Sequence, residues 1–147
     1  HPERLARCLP LLDWVGFDLK APWPRYERVT GMAGSGHSAR ESLEHLLASG
    51  VPFELRTTLH GDLLSPKDLE RLAETAAECG ARDWVIQPFR SQGCRDEGLL
   101  ARAEPPISQF HAEVLAQARL RFPRTFISVR GDGPPAFNHP QPIRRSA

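Results

Sequence analysis

Two spacings of hydrophobic residues alternate along the chain. From Trp14 to Lys20, Val15, Phe17 and Leu19 fall on one side, and Trp14, Gly16, Asp18 and Lys20 on the other, the period of two expected of a half-buried strand. Residues Phe53 to His60 repeat the division: Phe53, Leu55, Thr57 and Leu59 make an apolar face, and Glu54, Arg56, Thr58 and His60 a polar one. Trp84 to Phe89 predicts a third strand, with Gln87 opposite Ile86 and Pro88, and Phe126 to Arg130 a fourth.

Between the strands the spacing becomes helical. Ser38 followed by Glu41 reads as a capping box, Ala39, Leu43, Leu46 and Leu47 share a face, and Gly50 supplies a stop. Ser65 before Pro66 predicts an N-cap with proline at the first helical position; Leu69, Leu72, Ala73 and Ala76 form the stripe, and Gly80 ends it. A third helix is expected over about 106–121, with Ile107, Phe110, Val114 and Ala118 facing inward, before Pro123 breaks the run. "ERLARCLPLL" reads as the end of a helix running into the first strand, and "TGMAGSG" as a flexible loop over the site.

Strands joined by helices of this length become parallel neighbours through right-handed crossovers, which place the helices on one sheet face. The expected class is therefore α/β. Three strands then offer polar groups to the other face. If the sheet curls into a barrel, those groups line a lumen and Asp18 and Lys20 stand near the carboxyl end of their strand, where barrel enzymes place their chemistry. The alternative is a one-sided sheet whose polar face is solvated or internally paired, Asp18 with Lys20 and Glu54 with Arg56.

Composition narrows the partners more than the fold. The chain has 147 residues, 40% hydrophobic and 25% charged, which suits one domain of mixed structure, and its net charge of +1 gives no basic stripe for nucleic acid. No apolar run approaches a membrane span and no signal-peptide core opens the chain, so a cytoplasmic location is expected. Cys8, Cys79 and Cys94 are odd in number and widely spaced, which argues against a disulfide framework or a close-spaced metal knuckle. His37, His45, His60 and His111 are dispersed; only His60, closing the second strand, lies where a site could be, and a surface position is expected for it. Residues 131–147 are proline-rich and expected to be irregular.

The segments "DWVGFDLKAP", "YERVTG", "GVPFELRTTLH" and "WVIQPFR", the last followed by Gly93, Cys94 and Asp96, together resemble the later half of radical S-adenosylmethionine activating enzymes. The likeness is nearest to those that activate anaerobic ribonucleoside-triphosphate reductase, and it continues through "FISVRG". It implies that residues 1–130 form the carboxyl-terminal portion of a partial parallel (β/α) barrel and 131–147 a tail. It implies S-adenosylmethionine and a 4Fe-4S cluster as cofactors of the complete protein, a flavodoxin or ferredoxin as electron donor, and a glycyl radical enzyme as partner. In such activases the cleaved cofactor yields a 5′-deoxyadenosyl radical that takes hydrogen from a glycine of the reductase.

Residue by residue, the resemblance places Lys20 at the cofactor carboxylate and Asp18 at its ribose or a nearby cation. It gives Arg56 to the same carboxylate or a ribose hydroxyl, and Gln87 to the cofactor site from the next strand. Arg90 stands where related activases often carry histidine, and neither Arg90 nor Cys94 is assigned a role. The family's Cys-x-x-x-Cys-x-x-Cys loop and its glycine-rich motif are absent from the sequence. The expectation is a carboxyl-terminal half, beginning mid-domain, that does not assemble the cluster by the family's route and is inactive alone. A non-catalytic half-barrel binding module, another radical S-adenosylmethionine enzyme and an unrelated barrel enzyme are the other readings.

Overall fold

The structure, a computed structural model, describes residues 1–92, 94, 96–100 and 108–130. Helix α1 (Pro2–Cys8) leads through a 3-10 turn (Leu9–Leu11) into strand β1 (Val15–Asp18). A second 3-10 turn (Trp23–Arg25) and helix α2 (Tyr26–Thr30) precede the long helix α3 (Ser35–Ser49). Strand β2 (Phe53–Leu59), helix α4 (Pro66–Glu78), strand β3 (Asp83–Pro88), the short helix α5 (Glu97–Leu100), helix α6 (Gln109–Arg121) and strand β4 (Phe126–Val129) follow. All four expected strands form, in the order β1-β2-β3-β4 with every pair parallel. The chain is thus α/β with a four-stranded parallel sheet. The proline-rich segment 131–147 and the expected start of the third helix at Pro106 and Ile107 lie outside the described residues.

The alternation read in the sequence decides which side of the sheet is filled. Leu19, Leu55, Leu59, Trp84, Ile86 and Ile127 form one core with Leu43 and Leu46 of α3, Leu69, Leu72, Ala73 and Ala76 of α4, and Leu115 and Ala118 of α6. Removing these side chains from water is the main force that holds helices to sheet. The register Gly16 with Glu54, Asp18 with Arg56, Arg56 with Val85, Thr58 with Gln87 and Val85 with Ser128 puts these residues together on the opposite face.

Helix α4 begins as its sequence requires. Ser65 is the N-cap, its hydroxyl accepts from the Asp68 amide, and the Asp68 carboxylate accepts from the Ser65 amide at 2.8 Å, a reciprocal capping box with Pro66 at the first position. Asp68 is also ion-paired with Arg25, which reaches across from the turn after β1.

Three expectations about helices are corrected. Helix α3 starts at Ser35 rather than at a Ser38 cap: Gly34, in the left-handed region at φ 72°, is its N-cap, and Ser38 lies inside the helix, where Ser42 donates to its carbonyl. Gly36 is therefore helical, not part of a loop, and is buried where a β-carbon would press on Tyr26. On α6 the inward stripe is His111, Leu115 and Ala118, while Phe110 is 70% exposed. His111 is buried because its ring is satisfied: Nε2 lies 2.9 Å from the Leu64 carbonyl and Nδ1 meets the Ser108 hydroxyl.

Candidate functional site

Strand β1 ends at Asp18, but its pattern continues. Leu19 donates its amide to the Arg56 carbonyl at 2.8 Å and is fully buried, so Lys20 returns to the side of Asp18. The two side chains form an ion pair at 3.3 Å, each about half exposed. Two hydrogen bonds of the Tyr26 hydroxyl fix the backbone between them. The Tyr26 hydroxyl donates to the Asp18 carbonyl at 2.9 Å and accepts from the Lys20 amide at 3.3 Å. From the core side, Thr57 donates to the Leu19 carbonyl at 2.7 Å, and its hydroxyl accepts from the Trp84 indole at 2.9 Å. Burial, above all, raises the Tyr26 pKa; the Lys20 amide hydrogen bond lowers it and the Asp18 charge raises it, and Tyr26 stays a neutral clamp. The site pair is exposed, while its scaffold is buried and fully hydrogen-bonded.

Arg56 is directed elsewhere. Its Nε donates to Glu54 at 2.6 Å and its guanidinium lies over the Trp14 ring, 5.2 Å from the centroid. Gly16 makes room for this arrangement, since a β-carbon there would come inside van der Waals contact with Cζ, Nη2 and Nε of Arg56. Glu54 is 3% exposed beneath Arg56 and has Arg130 as a second cation at 4.0 Å. Both ion pairs named as alternatives in the sequence, Asp18–Lys20 and Glu54–Arg56, therefore form.

Replacing Gly16 with alanine should push the end of the flexible Arg56 side chain off Glu54 and cost about 1 kcal/mol, the worth of the hydrogen bond lost rather than of a packed core. Urea unfolding would show the loss, and in an Arg56→Ala background it should largely disappear. A Gly16→Ala cost unchanged in that background would mean that the glycine serves something other than the guanidinium.

At the amino end of β3, Asp83 sits on the same face with its pKa raised, first by burial, against the lowering effect of Arg82 and with a further rise from Glu54. The unfolded chain then ionises this residue at a lower pH than the native one. Stability contributed at Asp83 is therefore lost as pH climbs from about 3.9, the ordinary aspartate value, through the raised native pKa. An Asp83→Asn variant should lose less stability than the parent over that window in melts run from pH 3 to pH 7, where the two range limits are about the span needed for a carboxyl titration. Parallel curves would show that Asp83 is not the group responsible.

Gln87 lies at the carboxyl end of β3, in register with Thr58. With its amide oxygen turned toward Arg130 it accepts from both terminal nitrogens, at 2.6 and 3.3 Å. Thr58, Gln87, Arg90, Cys94 and Arg130 line an open cavity of about 420 Å³ there. The structure thus brings Asp18 to Lys20, sets Arg56 beside them on β2 but bonded to Glu54, and places Gln87 across the sheet with Arg130. His60, expected at the surface, is 2% exposed: its Nδ1 accepts from the Asp62 amide at 3.2 Å and its ring stands edge-on to Phe89.

No three His, Cys, Asp or Glu side chains converge as a metal site among the described residues. Cys8 lies at the end of α1, Cys79 just past α4 and Cys94 beyond β3. Burial and then Glu78 push the Cys79 thiol pKa up, away from the thiolate a metal requires. These residues do not fit an iron-sulfur cluster. Among the described residues no helix is long and apolar enough to cross a membrane.

Among the described residues the fold is α/β with a four-stranded parallel sheet, covered by helices on its apolar side and carrying charged groups on the other. No family model and no curated protein matches the chain. Tyr26, Thr57, Gly16 and Arg130 escaped the sequence reading. Only Gly16 had a visible signal, a glycine amid bulky strand residues, which often marks a close approach by another group.

Proposed function

We propose that this chain is the carboxyl-terminal part of a radical S-adenosylmethionine activase, its sheet the later half of a partial parallel barrel. The observation that carries the reading is the Asp18–Lys20 pair at the carboxyl end of β1, half exposed on the polar face and held by Tyr26 and Thr57. The pair fits the amino acid end and ribose of S-adenosylmethionine: the Lys20 ammonium offers charge-assisted bonds to the carboxylate, and Asp18 accepts from the ammonium or a ribose hydroxyl. Each partner neutralises the other while no ligand is bound, and both are open to one. Arg56 and Gln87 would join the site only by exchanging Glu54 and Arg130 for the cofactor.

When bound, S-adenosylmethionine would supply the radical that takes hydrogen from a glycine of the partner, with a cluster that Cys8, Cys79 and Cys94 would not hold. Lys20 and Asp18 contribute by orienting the cofactor, and the clamps beneath them limit the conformations they must lose on binding it. The reading includes anaerobic ribonucleoside-triphosphate reductase as that partner, a flavodoxin or ferredoxin as electron donor, and the cytoplasm as location.

A second reading is favoured by the ion pairs themselves: a non-catalytic half-barrel whose polar face is satisfied internally. A chimaera separates the two. This chain, fused behind the cluster-bearing half of a radical S-adenosylmethionine activase and loaded with iron and sulfide under argon, should change its cluster spectrum saturably as S-adenosylmethionine is added. A loaded cluster whose spectrum does not respond contradicts the activase reading.

A further inference from the structure

We infer that the open cavity at the carboxyl ends of β2 and β3 binds a small molecule through a phosphate or carboxylate group. The inference rests on charge balance across the polar face. Lys20 is paired with Asp18 and Arg56 with Glu54, so these four groups nearly cancel, and Asp83, a third carboxylate of this face, stands at the amino end of β3, at the other end of the strand from the cavity. Arg130 approaches Glu54 only to 4.0 Å, whereas Arg56 holds the same carboxylate oxygen at 2.6 Å. At the carboxyl end of the sheet Arg130 and Arg90 are therefore in excess, and both line the cavity of about 420 Å³. No carboxylate lines it among the described residues.

The cavity is also partly preorganised for an oxyanion. Arg130 donates its amide to the Ile86 carbonyl at 2.8 Å, and the Gln87 amide oxygen accepts from its guanidinium. A guanidinium held this way meets a phosphate or carboxylate with little further loss of freedom. Thr58 and Gln92 add neutral polar groups to the wall and Phe89 an apolar surface, room for more than a bare ion. In open α/β sheets ligands characteristically sit beyond the carboxyl ends of the strands.

The proposal does not rest on the activase reading, and its test needs neither cluster nor S-adenosylmethionine. The chain is titrated calorimetrically with pyrophosphate and, separately, with citrate, at low salt and again with added sodium chloride. Saturable binding that weakens with salt is expected for at least one, and the stronger of the two identifies the oxyanion as phosphate or carboxylate. Arg90 is exposed at the cavity mouth, so Arg90→Ala should leave the fold intact and weaken binding by about tenfold, the effect of one charge-assisted contact. Arg90→Lys should recover part of it, and Lys67→Ala, on exposed α4 surface, should bind like the parent. Absence of saturable binding by both anions at millimolar concentration, or equal binding by Arg90→Ala and the parent, overturns the proposal.

Discussion

Replacing Arg25 with alanine should destabilise the protein by about 3 kcal/mol, the lower part of the range for breaking a buried ion pair. The pair is asymmetric: Asp68 is 2% exposed and Arg25 about a quarter exposed. Loss of Arg25 would leave a carboxylate that cannot reach bulk water. The effect belongs low in the range because Asp68 keeps its bonds from the Ser65 amide and hydroxyl, at 2.8 and 2.6 Å, and lies in the first turn of α4, where the helix dipole favours an anion. The proper control is Arg40→Ala, which breaks an exposed pair with Glu44 on α3 and should cost under about 0.5 kcal/mol. Urea unfolding of the two variants checks this. Equal losses would mean that Arg25 does not tie the turn after β1 to α4.

Thr57→Val should cost nearly as much without changing the size of the side chain. The hydroxyl stands between two buried partners, donating to the Leu19 carbonyl and accepting from the Trp84 indole. A methyl in its place strands one acceptor and one donor, each costing about 1–3 kcal/mol when left unsatisfied. Trp84→Phe removes the indole donor along with its need, so adding Thr57→Val to Trp84→Phe should cost less than Thr57→Val alone. Thermal or urea melts of the three variants test the chain of bonds. If the Thr57→Val cost is the same with Phe at position 84 as with Trp, the indole bond does not contribute.

The strands and the face each residue takes were legible because alternation is a local property: Val15, Phe17 and Leu19 point inward in structure as in pattern. Helix α4 was equally plain, since Ser65 and Pro66 mark its start within two residues, although the reciprocal bond from Asp68 was not read. Helix α3 misled because its start depends on Gly34 adopting a left-handed conformation, while Ser38 and Glu41 mimic a cap further in. Helix α6 misled because Phe110 looks like core, while nothing in the pattern marks His111 as buried. The structure buries the histidine, since the Leu64 carbonyl, 47 residues distant, can pair with it, and leaves the phenylalanine in a groove between α4 and α6. Tyr26 and Thr57 illustrate the same limit at the site. The partner of Thr57 is the Leu19 carbonyl, brought close only by the pairing of β1 with β2, and Tyr26 returns to the Asp18 carbonyl and Lys20 amide only because the turn after β1 folds back, so the residue types alone announce neither contact.

The claim that Asp18 and Lys20 form a cofactor site, rather than a decorative surface pair, is tested most directly by binding. In the cluster-loaded chimaera, titration with S-adenosylmethionine should give Lys20→Ala an affinity lower than the parent by about tenfold or more, from a charge-assisted contact of about 1.5–3 kcal/mol. Folding should hardly change, because the Asp18–Lys20 pair is half exposed and such pairs contribute little to stability. Lys67→Ala removes an exposed lysine on α4 and should bind as the parent does. Equal affinity in the Lys20→Ala and Lys67→Ala proteins would contradict the account and leave the pair a structural feature of the sheet.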